Sequence, residues 1–224
     1  MEQIKAIETV YNGFKFRSRL EARWAVFFDA AGIKYEYEPE GFEHDGVRYL
    51  PDFYLSDTKT YVEVKPNREH AINELVKPFN LVISGKLQRL IILPNIPEDA
   101  QTAIWWFTFA YYHPGKDCMQ IAKASFIPRL DKVVLSTDMY VGYINEKSFY
   151  GVTGFLERMV NTYLLSPIND LAMPYNEHIP PREQIANYHY FPYCDSLDES
   201  ELDLIRMCYT KARQARFEFG ERTS

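Results

Sequence analysis

The residues that could do chemistry are concentrated in one short stretch, which runs from Pro51 to Lys65 and reads PDFYLSDTKTYVEVK. Asp52 stands near its start, and the triplet Glu63-Val64-Lys65 begins eleven positions later. Two runs rich in Tyr, Phe, Val and Leu flank a short polar segment, which is the pattern of a β-hairpin. The stretch therefore predicts a hairpin that carries acidic and basic side chains at its open end.

The pairing of the two strands decides whether these side chains meet. Side chains on a strand alternate between faces, so Glu63 and Lys65 share one face. Asp52 joins them, opposite Glu63, if the turn is an even-length loop, for example with Asp57-Thr58 at its tip. An odd loop without a bulge would separate them.

Two carboxylates at one point repel each other, which points to a metal site. The usual relief is a hard divalent cation with oxygen ligands, typically Mg²⁺ that keeps several of its waters. A lysine beside such a cation can orient or activate one of those waters. The alternative is an ordinary cross-strand patch of ion pairs on a hairpin.

A further acid lies upstream, in a segment with helix signals at both ends. Ser18 is a good N-cap for a helix that runs to about Ala31 and stops at Gly32. Glu21 is the third helical residue, where the carboxylate of a capping box would sit. It is therefore either a cap or a member of the same site as the hairpin acids.

The set formed by Glu21, Asp52, Glu63 and Lys65 resembles the PD-(D/E)XK nuclease superfamily in order and approximate spacing. The closest resemblance is to phage-type junction-resolving endonucleases and small phage-encoded relatives. It covers roughly the first 95 residues, so residues 1–95 are expected to form a nuclease core. The resemblance implies an α/β fold, a restriction-endonuclease-like mixed β-sheet flanked by helices. Residues 96–224 would be an aromatic-rich α+β extension, packed on the core or forming a dimer or partner interface.

The resemblance also assigns roles to these residues. Asp52 and Glu63 would be ligands of Mg²⁺, for which Mn²⁺ can substitute, and the backbone carbonyl of Val64 would be a further ligand. Glu21 would bind through water or a second ion. Lys65 would position or deprotonate the attacking water, or steady the phosphate, and the sequence leaves these three options open.

The remaining patterns are coarser. They predict strands over 4–11, 34–38, 47–55, 90–93 and 133–150, a turn at Asn12-Gly13 and another at 43–46, and helices over 68–76, broken by Pro78, and 197–219. The expected outcome for the core is a hairpin extended by a strand, helix, strand unit into a mixed sheet.

Nucleic-acid contacts have weaker candidates. Arg17 and Arg19 flank the start of the first helix, and three residues at helical spacing could form a polar face on the second: His70, Asn73 and Lys77. A plain solvated face is the alternative for the second helix.

The second half of the chain contains the run IWWFTFAYYH at 104–113. Exposed aromatic side chains could stack on unpaired bases. Burial is the preferred interpretation, because so many adjacent aromatic rings are poorly accommodated in water.

A zinc site is a rival metal hypothesis. His113 and Cys118 are separated by four residues, as are His189 and Cys194, and four such ligands could close a tetrahedral site. The alternative is free buried cysteines and ordinary histidines.

Composition limits the class of protein. The chain has 224 residues, a net charge of −6 and 46% hydrophobic residues, which indicates a globular protein without a uniformly basic coat. Three cysteines are too few for a disulfide framework, and neither a membrane-spanning run nor a signal-peptide pattern is present. An intracellular location is therefore expected, and the resemblance to phage-type endonucleases implies the cytoplasm of a bacterial or phage-infected cell.

Two functional hypotheses follow. The first is a Mg²⁺-dependent DNA endonuclease that hydrolyses phosphodiester bonds, with structure selectivity and a homodimer suggested by the resemblance to junction resolvers. The second is a noncatalytic nuclease-fold protein that binds or inhibits a protein partner through its C-terminal half.

Overall fold

The computed structural model describes residues 8–66, 71–97, 107–115, 117–129, 132–144 and 199–217. Within these ranges the chain forms eleven strands and three helices. In chain order they are β1 (Thr9–Tyr11), β2 (Phe14–Phe16), α1 (Arg19–Ala31), β3 (Tyr35–Tyr37), β4 (Phe42–His44), β5 (Val47–Tyr49), β6 (Phe53–Leu55), β7 (Thr60–Val64), α2 (Ala71–Ile83), β8 (Arg89–Leu93), β9 (Phe107–His113), β10 (Cys118–Arg129), β11 (Lys132–Ile144) and α3 (Glu199–Gln214).

A seven-stranded sheet with the order β11-β10-β9-β8-β7-β6-β3 forms the centre of the fold. Its strands pair antiparallel except β7 and β8, which are parallel and are connected through α2. A parallel pair needs such a crossover, because the chain must return to the same end of the sheet. The architecture is therefore mixed α/β, as expected.

Both faces of the sheet are covered by apolar side chains. Helices α1 and α3 contribute to the cluster on one face, with Trp24, Phe27 and Tyr209 fully or almost fully buried, and α2 contributes Leu75 and Phe79 to the cluster on the other. Strand β8 supplies alternate residues to the two clusters, which explains its uninterrupted apolar sequence.

The elements around α1 follow the predicted signals. Asn12 and Gly13 both have positive φ, 47° and 81°, and they join β1 to β2 as a two-residue hairpin turn. Ser18 caps α1, since its side chain accepts a hydrogen bond from the backbone of Glu21. Gly32 ends the helix in the left-handed conformation, with φ of 69°. The predicted bounds of this helix are confirmed.

The single strand predicted over 47–55 was wrong. It is two strands, because β5 pairs with β4 in a separate two-stranded ribbon while β6 belongs to the central sheet. Pro51 lies at the break and has no N–H to donate to a ladder. The turn predicted over 43–46 is correspondingly shorter, with Asp45 and Gly46 in the left-handed region and His44 still in β4.

The predicted end of the second helix at Pro78 was also wrong, because α2 continues to Ile83. A proline inside a helix costs about 3 kcal/mol. Burying one large apolar side chain contributes about 1.5–3 kcal/mol, and Leu75, Phe79 and Val82 are all buried on this helix. The apolar stripe therefore outweighs the proline. The predicted start at residue 68 lies outside the described residues.

The described part of the C-terminal half continues the same architecture. Strand β9 pairs with β8, and β10 and β11 extend the sheet from there. Phe107 and Phe109 of the aromatic run are buried in the core, and Tyr209 of α3 stacks on Phe27 of α1 at a centroid distance of 4.6 Å. Residues 104–106 of that run and residues 145–150 of the strand predicted over 133–150 lie outside the described residues.

Across the described ranges, no helix combines the length and the hydrophobicity that a membrane-spanning helix needs.

Candidate active site

The β6–β7 hairpin brings the predicted acids to one end of the sheet. Phe53 pairs with Val62 and Leu55 with Thr60, so the connecting loop, 56–59, has even length, as the prediction required. Asp52 immediately precedes β6, and its backbone N–H donates to the carbonyl of Val62 at 3.0 Å. Its side chain therefore lies beside the last residues of β7.

Asp52 is buried, with 5% of its surface exposed, and both of its carboxylate oxygens have donors. Oδ2 accepts the backbone N–H of Val64 at 2.7 Å, and Oδ1 lies 2.9 Å from Nη2 of Arg17. One donor belongs to the adjacent strand, and the other is a cationic side chain that enters from the end of β2.

Glu63 is equally buried, with 4% exposed, and it is held by two side chains. The hydroxyl of Tyr49 donates to Oε2 at 2.5 Å, and Nζ of Lys65 lies 3.0 Å from Oε1. Lys65 also lies 2.8 Å from Oε2 of Glu74 on α2. The lysine thus links the hairpin to the helix that follows it.

Burial and crowding of charge alter the pKa values in this group. Burial raises the pKa of Asp52 well above its usual range, and the nearby carboxylates of Glu63 and Glu21 raise it further. Burial also raises the pKa of Glu63, although Lys65 and Tyr49 oppose this. Burial would lower the pKa of Lys65, but its carboxylate neighbours, Glu63 first, raise it instead. The lysine is therefore positively charged near neutral pH.

Glu21 is both a helix cap and a neighbour of the hairpin acids. Its Oε1 accepts from the hydroxyl of Ser18 at 2.7 Å, while the same hydroxyl oxygen accepts the backbone N–H of Glu21 at 3.2 Å and so caps the helix. Its Oε2 accepts from the hydroxyl of Tyr37 at 2.8 Å and from the backbone N–H of Arg17 at 3.1 Å. Because the side chain of Arg17 continues to Asp52, Glu21 is connected to the site through that residue.

The structure thus brings together the four residues predicted from the sequence as catalytic: Glu21, Asp52, Glu63 and Lys65. Val64 contributes its backbone N–H to Asp52, and the role of its carbonyl as a metal ligand stays a prediction. In the ranges that the structure describes, no three or more His, Cys, Asp or Glu side chains form a group that could hold a metal ion.

Sequence reasoning missed several members of the site. The hydroxyl of Tyr49 donates a hydrogen bond to Glu63, and that of Tyr37 donates one to Glu21. Glu74 forms an ion pair with Lys65. Glu38 lies 2.6 Å from Nε of Arg17. Nothing in the sequence indicates that the hydroxyl of Tyr37 reaches the carboxylate of Glu21.

The weaker nucleic-acid candidates are placed unevenly. Arg17 lies in the site, while Arg19 is half-buried in the first turn of α1. Lys77 is exposed on α2, and Asn73 belongs to the same helix. His70 lies outside the described residues.

Two of the four residues of the hypothetical zinc site are described. Cys118 and His113 are directly paired across β9 and β10. Cys118 is buried. His189 and Cys194 lie outside the described residues, so the zinc site stays a prediction.

Comparisons of this chain with protein-family models, with curated proteins and with solved structures gave no match.

Proposed function

We propose that this chain is a metal-dependent DNA endonuclease with a restriction-endonuclease-like core, and that Mg²⁺, or Mn²⁺ in its place, supports hydrolysis of phosphodiester bonds. The observation that carries the proposal is the convergence of two buried carboxylates and a lysine, Asp52, Glu63 and Lys65, at one end of paired strands. A third acid, Glu21, is connected to them through Arg17.

The charge balance of the network supports this. Among the described residues, four carboxylates pair with two cationic side chains, and a fifth, that of Glu21, bonds to the backbone N–H of Arg17, which gives an excess of three negative charges when all are ionised. The carboxylates are those of Glu21, Glu38, Asp52, Glu63 and Glu74, and the cations are Arg17 and Lys65. Three of these carboxylates, Glu21, Asp52 and Glu63, are buried, and buried like charges are costly unless a cation compensates them. A divalent cation would remove most of this excess.

The donor set fits Mg²⁺, which is commonly held by one or two carboxylates together with waters and substrate phosphates. Asp52 and Glu63 would hold it, with the carbonyl of Val64 as a further ligand and Glu21 acting through water or a second ion. When bound, Mg²⁺ would neutralise charge on the phosphate and lower the pKa of a coordinated water.

The chain's own side chains have separable tasks. The backbone N–H of Val64 and the hydroxyl of Tyr49 fix the orientations of the two carboxylates. Lys65 is held between Glu63 and Glu74, and its raised pKa favours the ammonium form. This supports orientation of the attacking water or contact with the phosphate. It does not favour removal of a proton by the lysine.

The second candidate is a noncatalytic nuclease-fold protein that binds a protein partner. The observation that favours it is that both oxygens of each of the three buried carboxylates already accept a hydrogen bond or ion pair from the protein. Such a satisfied network can serve stability alone. In that case the C-terminal half would carry the interaction.

The resemblance to junction-resolving endonucleases implies a substrate, an oligomeric state and a location. The substrate would be DNA, with selectivity for branched structures, and two copies of the chain would act on symmetric strands. The protein would work in the cytoplasm of a bacterial or phage-infected cell.

A cleavage assay tests the proposal. Supercoiled plasmid, linear duplex, single-stranded DNA, a four-way junction and RNA are incubated with the wild type, Asp52→Asn or Lys65→Ala in Mg²⁺ or Mn²⁺. Asp57→Asn is the matched control, because Asp57 is exposed in the loop of the same hairpin. We expect cleavage by the wild type and the control, and none by the two site variants. A folded wild type that cleaves no substrate would favour the protein-binding alternative.

A further inference from the structure

Arg17 is an exposed member of the carboxylate network and contacts its most buried part, Asp52. Its side chain is 53% exposed, whereas that of Asp52 is 7% exposed. Its backbone N–H is anchored by Glu21 Oε2 at 3.1 Å and by the hydroxyl oxygen of Tyr37 at 3.0 Å. The main chain at this position is therefore fixed, while the guanidinium lies at the solvent edge of the site and can change partners.

The two oxygens of Asp52 differ in how firmly their donors are held. Oδ2 is bonded to the backbone of Val64, which is part of β7 and cannot leave without breaking the sheet. Oδ1 is bonded to the guanidinium of Arg17. A cation that binds Asp52 with displacement of a side chain would therefore displace Arg17.

Glu38 provides Arg17 with a second, independent partner. Its Oε1 lies 2.6 Å from Nε of the guanidinium, and its backbone N–H donates to the carbonyl oxygen of Asp52 at 2.9 Å. Glu38 has a φ of 46°, a conformation that residues other than glycine adopt rarely. Because Glu38 holds Nε, the guanidinium can release Asp52 and still keep one ion pair. Its remaining N–H groups are then available to a planar or tetrahedral anion.

We infer that Arg17 competes with the divalent cation for Asp52 and, once displaced, binds a phosphate of the DNA substrate. The inference rests on the proposed function, since it takes the cation and the DNA from it. It assigns to one side chain two effects of opposite sign. Arg17 weakens cation binding to the free protein and strengthens DNA binding to the cation-loaded protein.

The test measures both effects without catalysis. Mn²⁺ affinity is measured by calorimetric titration of the wild type, Arg17→Gln, Arg17→Lys, Asp52→Asn and Lys15→Gln. Lys15→Gln is the control, because it changes the net charge by the same amount as Arg17→Gln. Lys15 is exposed on β2, and within the described residues its ion pair is with Glu8 alone. Binding of a 20-base-pair DNA duplex is then measured in Ca²⁺ at several salt concentrations.

For Arg17→Gln we expect Mn²⁺ to bind roughly fivefold more tightly, the factor that corresponds to a well-formed exposed ion pair. For DNA we expect weaker binding and a salt slope smaller by about 1, the value for loss of one phosphate contact. Arg17→Lys keeps the charge without the forked geometry, so it should recover part of the DNA affinity.

Three outcomes would decide against the inference or its basis. If Arg17→Gln and Lys15→Gln change Mn²⁺ affinity equally, or if DNA affinity is unaltered, the role of Arg17 is wrong while a cation site that depends on Asp52 stands. If neither the wild type nor Arg17→Gln binds Mn²⁺, the proposed function fails together with the inference. Binding by Arg17→Gln but not by the wild type would support the competition directly.

Discussion

The hydrogen bond from Tyr49 to Glu63 offers the clearest quantitative test of the site's energetics. Both groups are buried, and the 2.5 Å contact joins a hydroxyl to a carboxylate that is also paired with Lys65. The substitution Tyr49→Phe removes the donor and keeps the ring. A hydrogen bond to a charged group contributes about 1.5–3 kcal/mol, which in a chain of this size lowers the melting temperature by about 3–12 °C.

The effect should depend on pH in a defined direction. The hydroxyl of Tyr49 stabilises the ionised form of Glu63 and so opposes the rise in its pKa that burial causes. In Tyr49→Phe the folded-state pKa of Glu63 is therefore higher than in the wild type. The stability difference is largest at a pH where Glu63 is ionised in the wild type, and it narrows as acidification protonates Glu63 in both proteins.

The assay is thermal unfolding followed by circular dichroism from pH 4.5 to 8, with Tyr112→Phe as the matched control. The hydroxyl of Tyr112 also donates to a carboxylate, that of Asp117 at 2.7 Å, but this contact is exposed. We expect little or no change in the control. Equal destabilisation of the two variants, or a Tyr49→Phe effect independent of pH, would refute the idea that burial makes the Glu63 contact strong.

Three further substitutions have defined outcomes. Asp52→Asn should raise the stability of the protein near neutral pH. Folding raises the pKa of Asp52, so its contribution to wild-type stability is complete below the pKa of the unfolded state and is lost as pH rises through the pKa of the folded state. Melting curves against pH should show that the wild type gains stability on acidification relative to the variant. Gly32→Ala should cost about 1 kcal/mol, measured by urea unfolding, because alanine disfavours the φ of 69° at the end of α1. Phe27→Ala should cost about 3–5 kcal/mol in the same assay, since the ring is fully buried between α1 and α3.

Local signals were sufficient for much of the site's framework. The turn at Asn12-Gly13, the cap at Ser18 and the stop at Gly32 depend on the conformations of a few consecutive residues, so the sequence predicts them well. The position of Asp52 beside Glu63 followed from the even length of one loop. These features need no knowledge of distant contacts.

Other features depend on tertiary packing and could not be predicted in this way. The helix continues through Pro78 because its stripe of apolar residues is buried against the sheet. Tyr49 lies on β5, which is separated from β6 near Pro51 and pairs with β4 in its own ribbon. This separation lets the hydroxyl of Tyr49 reach Glu63. The ion pair of Arg17 with Asp52 spans 35 residues in sequence, and no local pattern indicates it.

The strand order of the sheet also has a consequence for how the chain is made. From β6 to β11 spatial order follows sequence order, so each new strand can pair with one already synthesised. The apolar face of α1, however, is also covered by α3, whose Ile205 and Tyr209 are synthesised about 180 residues after Phe27. At typical ribosomal rates of 5–20 residues per second, α3 is synthesised roughly 10–35 seconds after the apolar face of α1 that it covers. The nascent chain therefore exposes an apolar surface on α1 until α3 is synthesised. The yield of folded protein depends on α3 packing against α1 before another chain aggregates with it.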